Sequence, residues 1–516
     1  MPGRNLQEPV RPRGMSNILR SLERNVGDTP DKAAVTGSQV SLTWRELHDE
    51  VLAVSATLQD SRVLGLFMEN SPAWIVADLS AVHAGVMNVP LPGFFSDEQI
   101  QHAIQDAKID TVITDNPERV RSLFPGGREV RLKIAGKLYT QILFPAESVD
   151  RKDNSTVKVT YTSGTTGSPR GVLLSLGMIE TVAASLAAAA NAGREDRALV
   201  VLPLSILLEN IGSVYVPILA GAEILVPDPA ELGLSGSSRI DAELFAGAMQ
   251  RLGPTAMILP PQLLKLLVAL AERQLLPDSL RFIAVGGAPV GISLLDAARQ
   301  AGLPVYQGYG LSEACSVVAL NTADYNYLGS VGRPLPHNDV SINERGEIII
   351  TGVSFNGYLN EPARNPEGEL ATGDLGYLDE EGYLYVTGRT RNRIITGFGR
   401  NVSPEWVESE LHSHPLIAQA AVFGNNLPHL VAVLVLASQD AGKAVIESII
   451  EEVNERLPDY ARIGSHVIAS SPFSVISGEL AVSGSPCRAA IEERYSAQIN
   501  NQPEVQNEQF FRASPG

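Results

Sequence analysis

Seven short runs rich in Val, Ile and Leu recur between helical patterns over residues 16–388: SRVLGLFMEN, KIDTVITD, ALVVLPLS, AEILVPD, TAMILP, RFIAVGG and LPVYQGYG. A strand that is apolar along its whole length offers no face to water, so both of its faces must be covered. Parallel sheets flanked by helices meet that need. The segments PQLLKLLVALAERQ (261–274) and ISLLDAARQAG (292–302) supply such helices, with the apolar spacing of core-facing elements. From Val340 the character changes to polar-flanked strands, VSINERGEIIITG and GYLDEEGYLYVTGR, in which DEEG (379–382) predicts a hairpin turn. After Gly388-Arg389 a second unit begins with SPEWVESELHSHPLIAQAAVFG, HLVAVLVLA and the helix AGKAVIESIIEEVNERL. The expected fold class is therefore α/β: a large multi-subdomain unit with helix-covered sheets over 16–390 and a small α+β domain over 391–499. Residues 1–15 and 500–516 read as flexible, polar tails.

With 516 residues the chain can bury a large core. Its formal charge of −18 argues against a nucleic-acid binder and against a protein held on anionic lipid by basic patches. Cys315 and Cys487 are the only cysteines, too few for a disulfide framework or a Cys-rich metal site, and a cytoplasmic location is expected. The opening MPGRNLQEPVRPRGMS has no apolar run of the secretory kind, and Met15 is a second candidate start. The most apolar stretch, 199–226, is interrupted by Pro203, Glu209, Asn210 and Pro217. A membrane span needs roughly 20 consecutive apolar residues, so this stretch reads as buried core and no integral membrane segment is expected.

The segment VTYTSGTTGSPRGVLLS (159–175) holds the first chemical signal. Val157 to Tyr161 reads as a strand, and Ser175 as the N-cap of the helix that follows. Between them lie Ser163, Gly164, Thr165, Thr166 and Gly167, then Arg170. The glycines admit backbone conformations closed to other residues, and backbone N–H groups, hydroxyls and a guanidinium can converge there on an anion. The pattern is not G-x-x-x-x-G-K-[ST], since Pro169-Arg170-Gly171 breaks it. Taken alone, the segment could equally be a hydroxyl-rich surface loop.

Two later segments decide between these readings. YQGYGLSEA (306–314) sets Ser312 beside Glu313 after Tyr309 and Gly310, and ATGDLGYLDEEGYLYVTGRTRNR brings Asp374, Arg389 and Arg391. With the loop, in this order, they resemble the adenylate-forming enzymes, which include acyl-CoA synthetases, luciferases and the adenylation domains of peptide synthetases. The resemblance spans about residues 16–495. The flanking pieces LPLSILLEN, AVGGAPV, LGSVGRPLP and TGFGRNVSPEWVE look most like long-chain acyl-CoA synthetases. The resemblance implies that Ser163, Thr165, Thr166 and Arg170, with the loop glycines, hold the β- and γ-phosphates of ATP. Ser312 would contact the α-phosphate and Glu313 would ligate Mg²⁺. Asp374 and Arg389 would reach the ribose, while Gly287, Ala288 and Tyr309, with Gly310, would bracket adenine. Arg391 would be the hinge of a mobile small domain. The implied reaction activates a carboxylic acid, by expectation a fatty acid, to an acyl-adenylate. The acyl group then passes to CoA or to the phosphopantetheine of an acyl carrier protein.

Two departures stand out. In LPLSILLEN, Ile206 stands where the family has His or an aromatic residue, near the incoming carboxylate; Glu209 reads equally as a pocket residue or a core carboxylate. Near the C-terminus, SGELAVSGSPCRAAIEERY puts Ser485 where the family carries a lysine that serves adenylation, and Arg488 is the nearest cation. An adenylation-impaired relative is therefore the alternative. It would act as a binding protein, use a preformed acyl-adenylate, or serve an amine acceptor. The run IGSVYVPILAG after Asn210 reads as core more than as an acyl tunnel.

Overall fold

A computed structural model describes residues 16–145, 155–162, 169–235, 239–362, 364–365, 368–397, 400–438, 442–475, 477–480 and 485–500. Two large sheets dominate it. In the seven-stranded sheet the central strands Thr111–Thr114, Val63–Phe67, Met87–Pro90 and Thr156–Thr162 run parallel, and antiparallel strands close both edges. In the nine-stranded sheet, Val305–Tyr309, Phe282–Val285, Ala256–Leu259, Arg197–Leu199, Glu223–Val226 and Ala33–Gly37 are parallel neighbours. These are the apolar runs of the sequence. Strands such as Val63–Phe67 and Thr111–Thr114 are buried at every position, as cover on both faces requires.

Helices such as Pro72–Ala84 and Leu176–Ala189 share one apolar cluster with residues of both sheets. A four-stranded antiparallel sheet follows, and its last two strands, Leu370–Leu378 and Leu384–Arg389, form the expected hairpin. Gly382 closes the turn at φ +81°, with its N–H donating to the Asp379 carbonyl. Downstream, the strands Ile417–Phe423, Leu430–Leu436 and Ile463–Ile468 pair into a sheet. Helices Pro404–His412 and Lys443–Arg456 enclose one apolar cluster with it, and Arg488–Asn500 packs into another.

One expected connection differs. Arg170–Ser175 is a strand, paired antiparallel with Thr156–Thr162, so the hydroxyl-rich segment joins two strands and not a strand to a helix. Val172 and Leu174 point into the core and are fully buried. This strand is short and abuts the helix it precedes, so its alternation merges with the helical pattern. Ser175 does cap that helix, accepting from the Met178 N–H. Among the described residues no helix is long and apolar enough to cross a membrane.

Candidate active site

Open α/β sheets bind ligands beyond the carboxyl ends of their parallel strands. Phe282–Val285 leads there into a turn that exposes Gly287 and Ala288, and Val305–Tyr309 delivers Tyr309 and Gly310 beside it. A Cβ on Gly310 would lie 1.6 Å from the Ser316 carbonyl oxygen, so only glycine lets the chain double back here. The reversal presents Ser312 and Glu313 on a short helical turn, and buried Cys315 (φ +54°) ends it.

The hairpin then meets this edge. Asp374 and Arg389 face each other across its two strands. Asp374, 6% exposed, accepts from Arg389 Nε at 3.0 Å on Oδ1 and from the Tyr309 hydroxyl at 2.7 Å on Oδ2. Burial, and then the adjacent carboxylate, push the Tyr309 phenol well above its ordinary range, so it stays a donor at neutral pH. Two residues far apart in the sequence, Tyr309 and Arg389, thus converge on the Asp374 carboxylate.

A second group forms around Arg170. Its guanidinium lies 3.4 Å from the Tyr358 ring centroid and forks onto Glu361, with Nη2 at 2.6 and 2.8 Å from the two carboxylate oxygens and Nε at 3.2 Å. The Tyr358 hydroxyl donates to Glu313 Oε1 at 2.7 Å. Backbone bonds fix this geometry: Leu359 N–H donates to the Gly171 carbonyl, Leu173 N–H to that of Gly357, and Phe355 N–H to that of Glu313. Glu313 is a half-buried oxygen donor, a type that suits a hard cation such as Mg²⁺. Ser163, Gly164, Thr165, Thr166 and Gly167 lie outside the described residues. Tyr358 and Glu361 were not anticipated, since no local pattern pairs Glu361 with a residue 191 positions away.

Ile206 is half-buried at the start of the helix Leu207–Asn210. Glu209 is a core carboxylate: it is fully buried, and its Oε1 accepts from the Val201 N–H at 2.9 Å. Burial pushes its carboxyl up to about 8. The run beyond it is a π-turn, Ile211–Tyr215, in which a Cβ on Gly212 would lie 2.4 Å from Ile258 Cδ1. That contact and the burial of Ile211, Val214 and Tyr215 make the π-turn close-packed core.

Beneath lies a fully buried polar group. Lys158 Nζ donates to Asp78 at 2.8 Å, to the Tyr215 hydroxyl at 2.7 Å and to Asn210. Asp78 also accepts from Asn88, Asn210 and Tyr215. The group ties the strand leading into residues 163–168 to the π-turn and to three further elements, the helices Pro72–Ala84 and Leu207–Asn210 and the strand Met87–Pro90.

Past the hairpin, Arg391 is exposed in the turn Thr390–Asn392, and neighbouring Asn392 donates to Glu405. The helix Pro404–His412 docks on the helices of the large sheet. Glu410 accepts from Ile292 N–H and the Ser293 hydroxyl, and Lys265 Nζ donates to the His414 and Ile417 carbonyls. Ser485 is exposed. Arg488 is largely buried and forks onto Glu408 at 2.6 and 2.7 Å. It is held within its own domain.

Residues 22–359 match the sequence profile of the AMP-binding enzymes, and 391–504 that of the AMP-binding enzyme C-terminal domain. A 2-succinylbenzoate–CoA ligase of Bacillus cereus (strain Q1) is 30% identical over 465 residues, which cover 84% of this chain and 90% of the relative. The o-succinylbenzoate CoA synthetase of Bacillus subtilis, solved with the acyl-adenylate OSB-AMP, superposes with a TM-score of 0.73 at 25% identity, covering 93% and 98% of the two chains. The same enzyme solved with ATP and magnesium superposes at 0.70 and 24% identity, over 91% and 98%. The expected likeness to long-chain acyl-CoA synthetases gives way to these relatives.

Proposed function

This chain belongs to the AMP-binding enzyme family, and we propose that it is an AMP-forming acid–CoA ligase acting on an aromatic carboxylic acid. ATP with Mg²⁺ supplies the activating nucleotide and CoA the acceptor thiol. The observation that carries the reading is the convergence of Tyr309 and Arg389 on Asp374 at the carboxyl edge of the sheet, next to the group of Arg170, Tyr358 and Glu313. In this reading Asp374 and Arg389 hold the ribose, and Gly287, Ala288, Tyr309 and Gly310 border the adenine. Ser312 and Arg170, with residues 163–167, hold phosphate oxygens. Adenylation builds charge on phosphorus, which such donors stabilise. Glu313, with the nucleotide's own phosphates, holds Mg²⁺.

An aromatic acid is favoured over the expected fatty acid because the relatives named above act on 2-succinylbenzoate and because the π-turn is packed core. Mass spectrometry of acyl-CoA formed from a mixed panel of aryl acids and fatty acids tests this. We expect aryl-CoA products; fatty acyl-CoA alone would reverse the substrate assignment.

A second reading has its own support. Ser485 carries no charge, and Arg488 is committed to Glu408. Losing one charge-stabilising donor costs about 10²–10³ in rate. Slow ATP–pyrophosphate exchange beside competent thioester formation from supplied acyl-adenylate would favour an enzyme impaired in its first step; exchange at least as fast as thioester formation would exclude it.

A further inference from the structure

We propose that Glu361 is an internal competitor at the polyphosphate site, its carboxylate occupying the Arg170 guanidinium until ATP or pyrophosphate displaces it. The inference rests on the reading of Arg170 as a phosphate contact.

A guanidinium presents a fixed, planar fork of N–H donors that suits carboxylate and phosphate alike. Glu361 takes the edge formed by Nε and Nη2. The Tyr358 ring covers the face of the same guanidinium at 3.4 Å, so the plane is set and the anion is exchanged in place. Tyr358 is itself fixed by its hydroxyl on Glu313 and by backbone pairing at Gly357 and Leu359. Arg170 and Glu361 side chains are 43% and 46% exposed, so the carboxylate can swing into solvent without unfolding. Exposure also makes the pair weak, so it tunes affinity and does not lock the site. When a polyphosphate arrives, the Glu361 charge repels it as well as competing with it. Glu361 thus weakens binding of the substrate triphosphate and of the released pyrophosphate together, while leaving AMP, which has no β- or γ-phosphate, untouched.

Glu361→Gln keeps the shape and removes the charge. Wild type and variant are titrated calorimetrically with magnesium pyrophosphate and with AMP, and assayed in parallel for acid-dependent AMP release. The variant should bind pyrophosphate about three- to fivefold more tightly, a gap that narrows as salt is raised. AMP affinity should stay unchanged, and KM for ATP should fall without a rise in kcat. Equal pyrophosphate affinities, or an equal change in AMP affinity, would overturn the inference while leaving an active wild type and its proposed function intact. A wild type that binds no pyrophosphate and releases no AMP would overturn both.

Discussion

Asp374 carries the sharpest expectation for a single residue. Both of its oxygens are engaged, by Tyr309 and Arg389, and a ribose diol would enter against a charged, positioned acceptor. Hydrogen bonds to a charged group are worth roughly 1.5–3 kcal/mol each. Asp374→Asn should weaken AMP binding more than tenfold in calorimetry, with little change in Tm because the Arg389 side chain is half exposed and water can replace its partner. Unchanged affinity would remove the site assignment. Glu209 offers a pH test. Its folded carboxyl titrates at about 8, against an ordinary value of 4.5. A raised pKa contributes stability that is complete below 4.5 and is lost as pH rises through 8. Glu209→Gln should therefore gain in Tm relative to wild type between pH 5 and pH 8; a constant difference would show that the carboxyl is not perturbed. Tyr309, Asp374 and Arg389 were legible because each sits in a short motif with its own chemistry. Tyr358 and Glu361 were not, because their meaning comes only from a strand they reach across the fold.

At the scale of elements, runs of Val, Ile and Leu announced their parallel strands because burial on both faces leaves no polar position. The strand Arg170–Ser175 was hidden between a loop and a helix cap. Lys158 was hidden differently: in VKVTY its charge suggests a solvent-facing position, yet the strand has neighbours on both sides and the side chain is fully buried. Its charge is met by Asp78, which accepts from three neighbours besides. Removing one partner of a buried ion pair costs about 3–5 kcal/mol, whereas replacing both with apolar groups is often neutral. Lys158→Met should lower stability by about that amount in urea unfolding, and adding Asp78→Asn, which removes the unpaired charge but keeps an acceptor for the neighbouring donors, should recover part of it. A double variant as unstable as the single would show that the unpaired charge is not what the single variant loses by.

At the scale of the molecule, the small domain touches the large one through Glu410 and Lys265 and is joined to it at Thr390–Asn392. The contacts through Glu410 and Lys265 are polar, a kind that water can replace if the two domains part. Arg391 was assigned as the hinge from the resemblance alone, and its exposure in a short turn agrees with freedom to change its dihedral angles. Arg391→Pro fixes φ and should slow one half-reaction far more than the other. Equal losses in adenylate formation and in thioester formation from supplied adenylate would contradict the hinge.

In the proposed reaction the acid's carboxylate attacks the α-phosphate of ATP. Supplying the acid with both carboxylate oxygens as ¹⁸O tests this directly. An acyl-adenylate leaves one of those oxygens on phosphorus when the thiol takes the acyl group. Mass spectrometry should then find AMP carrying one ¹⁸O, formed only when acid and CoA are both present. Unlabelled AMP, or ADP in its place, would contradict the claim.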